Sequence, residues 1–168
     1  ARAGTDSSLF ASEQAALNAV TDGLFYVDKQ LKDLKLGKPL GLYECNEATC
    51  TAAAESQHAG LGRVFVRENL AGLERFVVGC DASAGGLDAL LRARGAVELA
   101  DRLVAQIAAA RTATDALASD DLVDAVTSDR VKLEALHASV GTLATTLRTE
   151  LMAVLDLEPP IYIEGDND

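Results

Sequence analysis

The side chains best suited to chemistry in this chain are few, and most lie in or beside one segment. Cys45 and Cys50 are five residues apart with no histidine pair near them. A structural zinc takes four ligands, so a local disulfide suits this pair better than a metal, with buried or free thiols as the alternative. Cys80 is then left over, and in an oxidising compartment an odd cysteine is either buried or bonded to something outside the chain. Both histidines follow a glutamate by three residues, as Glu55-x-x-His58 and Glu134-x-x-His137. On a helix that spacing sets carboxylate and imidazole on one face, as in the ligand pairs of di-iron bundles. Such a centre needs two further glutamates from two other helices, and the apolar stripes here carry none. His137 therefore reads as a boundary residue of the last helix and His58 as a solvated loop residue, with a metal or ligand contact as the sharper alternative for each.

Four of the five lysines, Lys29, Lys32, Lys35 and Lys38, fall within ten residues of a chain whose formal net charge is −11. Cations complement the dipole at a helix C-terminus, which accounts for them; an anion or carboxylate site beside the adjoining loop is the alternative. Asn69 lies between Phe65 and Phe76, where an amide needs hydrogen-bond partners, and it is expected to anchor the loop. Gly72, in mid-helix, is expected to admit a passing backbone. Nucleophile elbow, phosphate loop, dinucleotide fingerprint and His-Glu-x-x-His are all missing from the 168 residues, and Ser83-Ala84-Gly85-Gly86 reads as a turn.

These residues must be held by helices. Hydrophobic residues make up 49% of the chain and aromatics only 4%, a surplus of Ala, Leu and Val that suits close helix packing and not a β-sandwich. Leu17, Val20, Leu24, Val27, Leu31 and Leu34 step by three and four, predicting a first helix over 12–36 that Gly37 stops and Pro39 keeps from continuing. An irregular loop follows over 37–62. Val66, Leu70, Leu73 and Val77 predict a second helix over 63–78, and Leu87 to Arg94 a short one closed by Gly95. Ala96, Ala100, Leu103, Ile107, Ala110, Thr114 and Leu117 form a long small-residue stripe. Ser119 to Thr127 reads as a helical connector and Ser128 as the N-cap of a last helix. That helix carries Leu133, Leu136, Val140, Leu143, Leu147, Leu151 and Val154, and Glu158-Pro159-Pro160 ends it. The expected fold is all-α, an up-and-down bundle of three to four long helices over 1–158 with an acidic tail over 159–168.

The charge balance disfavours nucleic acid and anionic membrane surfaces, and no run of about 18 apolar residues exists to span a bilayer. The chain opens Ala1-Arg2-Ala3-Gly4, without initiator Met or signal peptide, and is expected to be a mature, processed or truncated product.

The run from Lys32 to Leu42, then Cys45, Cys50, Glu55-Ser56 and Glu68-Asn69-Leu70-Ala71-Gly72, resembles the imelysin-like family, also catalogued as M75 peptidases. The resemblance continues through Gly86-Leu87-Asp88-Ala89-Leu90-Leu91 to Leu155-Asp156-Leu157-Glu158-Pro159 and Asp166-Asn167-Asp168, in the order of the family's C-terminal half. It implies a bacterial protein of the periplasm or outer-membrane-anchored cell envelope, built of two helical bundles and linked to iron uptake. The family's Gly-x-His-x-x-Glu motif belongs to the other half and is absent here. This chain would then be one wall of an interdomain metal or ligand pocket, with Lys35, Glu55, Ser56 and Asn69 as candidates and iron or another divalent metal not held by this chain alone. The implied partner is the N-terminal half, in the same precursor or as a separate chain. Two other functions stand beside this one, a metallopeptidase completed by the missing half and a purely structural bundle. Thr51-Ala52 after Cys50, where the family commonly has proline, and Cys80 after Gly79 depart from the family pattern.

Overall fold

A computed structural model describes residues 9–80 and 85–159, so the acidic tail beyond Pro159 and part of the Ser83 to Gly86 turn lie outside the described residues. The described chain is helical without strands. A first rod begins with α1 (Glu13–Thr21), tightens into a 3₁₀ turn (Asp22–Phe25), widens into a π-helical stretch (Val27–Gly37) and ends in α2 (Lys38–Leu40). Then come α3 (Gly62–Val78), α4 (Leu87–Ala93), α5 (Val97–Asp115), α6 (Leu122–Ser128) and α7 (Arg130–Thr146). A second π-helical stretch (Leu147–Leu151) carries α7 into α8 (Met152–Leu155).

The rods pair antiparallel. Arg148 meets Asp28 and Arg130 donates to the Leu40 carbonyl, so the last rod runs against the first. Arg102 with Glu150 and Gln106 with Thr146 set α5 against the last rod, while Arg111 with Glu74 and Arg63 with the Leu117 carbonyl set α3 against α5. One core fills the bundle. The α5 stripe is buried from Ala100 to Leu117, Val66, Leu70, Leu73 and Val77 of α3 face it, and Leu133 to Leu143 of α7 close it.

The first rod differs from a regular helix in a way that changes which residues point inward. In a π stretch the ladder closes from i to i+5, and the Lys38 N–H indeed donates to the Asp33 carbonyl. Buried leucines accordingly run Leu31, Leu36, Leu40, and buried aspartates run Asp28, Asp33. Val20, expected inside, is 53% exposed, and Leu34 is only half-buried. Gly37 does not stop this rod: its φ of −66° and ψ of −45° are helical, and the Cβ of an alanine there would crowd Lys32 O, His137 Nε2 and Tyr43 Cβ at 3.1–3.2 Å. Pro39 is carried near the start of α2, at a first-turn position where a missing N–H is tolerated, and Gly41 (φ +83°) ends the rod by taking the left-handed conformation.

Other expectations are corrected on similar grounds. Ser128 is the last residue of α6, its hydroxyl donating to the Asp124 carbonyl, so it caps nothing. The bend into α7 is held by Asp129, whose carboxylate accepts from the Ala118 N–H and pairs with Lys132. The connector is α6 itself, capped by Asp121 on the Val123 N–H. At the end of the last rod Leu155 takes the buried place expected for Val154.

Candidate functional site

The loop between the first rod and α3 turns at Gly41 and again at Glu44 (φ 39°), and is pinned by a Cys45–Cys50 disulfide. The Cys50 N–H donates to the Pro39 carbonyl, tying the clasp to the rod, and a 3₁₀ turn (Thr51–Ala53) then delivers Glu55 and Ser56 back over it. Each clustered lysine finds a partner from the protein itself. Lys29 reaches the Tyr43 hydroxyl and lies over its ring, Lys38 pairs with Glu44, and Lys32 pairs with Asp28 and Asp33.

Lys35 is the one drawn into a cavity. Its side chain is 10% exposed and its ammonium lies 2.5 Å from a carboxylate oxygen of Glu55, whose own side chain is 60% exposed. The rings of Tyr26 and Phe65 stand 5.8 and 5.9 Å from the same ammonium, within cation–π reach. Burial pulls the Lys35 pKa down, but the hydrogen bonds to Glu55 and the Tyr26 hydroxyl outweigh it and hold the ammonium above its ordinary value. The enclosed space is about 10 Å³, room for one water, and Ser56, Gln57 and Asp121 also border it. On the other side of Lys35 and Glu55 an open cleft of about 320 Å³ runs past Gln30 and Lys38. A buried cation held by a carboxylate on a loop can exchange that carboxylate for another anion when the loop moves.

Three of the four candidates, Lys35, Glu55 and Ser56, thus meet in one place. Asn69 does not join them. It lines a separate groove beyond Tyr26, and its Oδ1 is buried without a hydrogen-bond partner, so it does not anchor the loop. Nor does a backbone pass Gly72, where a Cβ would meet nothing within 4 Å. Tyr26, Phe65 and Asp121 were not legible as site residues. Tyr26 reaches Lys35 from nine positions upstream because the winding of the rod brings it there, and Asp121 arrives as the N-cap of α6, beside the start of α3 where Arg63 bonds Asp120.

The histidines stand apart from this site. His58 is exposed on a turn. His137 is half-buried on α7 against Gly37 of the first rod, and burial, helped by the Lys32 charge, pushes its pKa below the ordinary value. Glu134 is taken by Arg130 in an i to i+4 pair. Among the described residues no three of His, Cys, Asp and Glu converge to hold a metal ion, so the donors of these residues do not by themselves fit a metal centre. Cys80 is a free thiol and exposed, not buried. No described helix is long and apolar enough to cross a membrane.

Fold and site together define an α-helical bundle with a disulfide-clasped loop laid over a buried lysine. The chain belongs to the imelysin family, peptidase M75, whose model matches residues 1–151. No curated protein and no solved structure matches it.

Proposed function

We propose that this chain serves bacterial iron uptake in the periplasm or at the outer-membrane-anchored cell envelope, as one wall of a metal or ligand pocket that a second imelysin-like bundle completes. The observation that carries this reading is the Lys35–Glu55 pair at the mouth of a cavity, held in place by the disulfide clasp. A buried ammonium latched by an exposed carboxylate is suited to exchange partners with an incoming acidic group. The disulfide supports an oxidising compartment, where such bonds persist. Family membership supports the second bundle, and Ser56 adds a hydroxyl at the same mouth.

In this reading iron or another divalent metal takes its donors chiefly from the second bundle. Lys35, Glu55 and Ser56 orient the bound group and neutralise its charge. The test is metal binding by calorimetry, comparing this chain alone with the two-bundle protein and with its Lys35→Met and Glu55→Gln variants. Binding is expected only when both bundles are present and to weaken about tenfold in each variant, the usual scale for loss of a charged contact. Unchanged affinity in both variants would remove this wall from the pocket. The family's peptidase label supports a second reading, and metal-dependent peptide hydrolysis by the two-bundle protein would favour it.

A further inference from the structure

The seam between the 3₁₀ turn of the first rod and α3 holds a groove of about 290 Å³ that the Lys35 site does not use. Its base is apolar, built on buried Leu24, Val27 and Leu73. Gly23 and Gly72 line it, and at each an added Cβ would meet nothing within 4 Å, so the space between the walls stays open. The half-buried ring of Phe76 borders it toward the end of α3. Apolar side chains gain by leaving water for such a surface, and its size admits only a few of them. The end of the last rod lies close by. Gln14 donates to the Leu155 and Asp156 carbonyls, and the Glu158 N–H donates to Asn18 Oδ1, so the chain leaves the bundle against α1. The groove opens on the same rod at Val20 and Gly23, and around α1 only the small, exposed Ala19 separates Asn18 from Val20.

We propose that the occupant of this groove is the chain's own tail, with Ile163 covering Leu24, Val27 and Leu73 and Ile161 at the mouth beside Gly23. Composition selects the segment. Outside the described residues, 1–8 and 81–84 hold no large apolar side chain, whereas 160–168 holds Ile161, Tyr162 and Ile163 in succession. Reach allows it. A helix with its side chains is about 10–12 Å across, and extended chain covers about 3.3 Å per residue. From Glu158, Ile161 is then about 10 Å and Ile163 about 17 Å away, enough to cross the outer face of α1 and enter the groove. Pro159 and Pro160 favour such an extended path, and its alternation sets Ile161 and Ile163 on one side with Tyr162 on the other. Charge agrees with this direction. Glu164, Asp166 and Asp168 follow the apolar residues, and Arg75, exposed beside Phe76, pairs with no acid among the described residues. The tail thus closes the open seam from outside, as a strap and not as a further helix.

The groove is bounded by residues other than Lys35, Glu55 and Ser56, so this inference stands or falls apart from the proposed iron-uptake role. The experiment is methyl NMR on the whole chain, at a concentration where sedimentation shows a monomer. Cross-peaks are expected between the Ile163 methyls and those of Leu24, Val27 and Leu73, with amide exchange at Ile163 slowed about tenfold relative to a free peptide of the same sequence. Ile163→Asp is expected to remove both signs and Ile163→Val to keep them. Gly72→Leu, which fills the groove, is expected to displace the tail, and Gly23→Leu serves the same purpose if the first variant does not fold. Arg75→Gln is expected to speed the Ile163 exchange about twofold, the scale of an exposed ion pair. The proposal is overturned if the monomer shows no such cross-peaks or if they survive filling of the groove. It is overturned equally if they appear only where the chain dimerises, which would make a second copy the occupant, or if a second imelysin-like bundle and not the tail gives the contacts.

Discussion

The first rod meets two neighbours in opposite ways. Against the last rod it is closed: Leu31, Leu36 and Leu40 are buried, and Gly37 lets His137 approach the backbone. The two aspartates that enter this seam are paired with cations. Asp28 is bonded by Lys32 at 2.6 Å and Arg148 at 3.2 Å, and Asp33 by Lys32 at 3.3 Å. Against α3 the same rod is open, with a groove, a one-water cavity, an unmet Asn69 oxygen and glycines facing empty space. Closed seams hold a bundle together, while sparse ones leave concave surface for something else to occupy. Both seams belong to one helix, so the difference comes from its winding and from which residues that winding turns to each side.

The largest expected effect separates the two seams directly. Leu36→Ala empties a fully buried place and should cost about 3 kcal/mol, whereas Val20→Ala on the open side should cost under about 0.5 kcal/mol, both read from urea unfolding. Equal losses would mean that the open seam is as well packed as the closed one. Asp28→Asn leaves Lys32 and Arg148 without their shared carboxylate, and because both cations keep some contact with solvent the cost should be nearer about 2 kcal/mol than the full penalty of a buried ion pair. The same unfolding curves at high and low salt would show how far that network is screened.

Glycine to alanine changes should have opposite signs. At Gly72 the methyl group meets nothing and helix propensity improves, so Gly72→Ala should stabilise by about 1 kcal/mol. At Gly37 it meets Lys32 O, His137 Nε2 and Tyr43 Cβ, and Gly37→Ala should destabilise by about 1 kcal/mol despite the same gain in propensity. Paired thermal melts decide this, and two gains would show that the closed seam has slack.

The smallest effect is in pH. His137 has a lowered folded pKa, so the unfolded chain binds its proton more readily. The stabilisation from keeping it neutral is present above its ordinary value of 6.5 and is lost as pH falls through that value toward the folded one. Asp33 acts in the reverse sense. Burial raises its pKa despite the Lys32 charge, so its contribution is lost as pH rises from the ordinary 3.8 through the folded value. Stability followed against pH in His137→Gln should lose the first slope and keep the second, while no change in either would place His137 outside the closed seam.

Much of the bundle was legible because its helices are regular. The α5 stripe and the buried residues of α3 follow ordinary helical spacing, and the structure buries them as that spacing predicts. The cysteine pair was legible in part: the spacing with no further ligands favoured a disulfide over a metal and left buried or free thiols open, and the structure joins the two. The site was only partly so. Lys35, Glu55 and Ser56 were singled out in the chain, but that a loop carboxylate is laid on a largely buried lysine beside Tyr26 and Phe65 depends on a fold-back no local pattern contains. Asn69 was misplaced because a stripe shows that an amide lies on a flank and not what faces it.

By itself the sequence determined an all-helical acidic chain and its helical stripes, because these depend on composition and period; it favoured the disulfide through the short spacing of Cys45 and Cys50, and the order of its motifs carried the resemblance to the imelysin family. Only the tertiary structure decided the winding of the first rod. Packing against α7 and Arg148 turned Asp28 and Asp33 inward at a spacing of five, kept Gly37 helical and moved the end of the rod to Gly41. That same winding turned Leu31, Leu36 and Leu40 into the seam with α7 and left the side facing α3 with a groove.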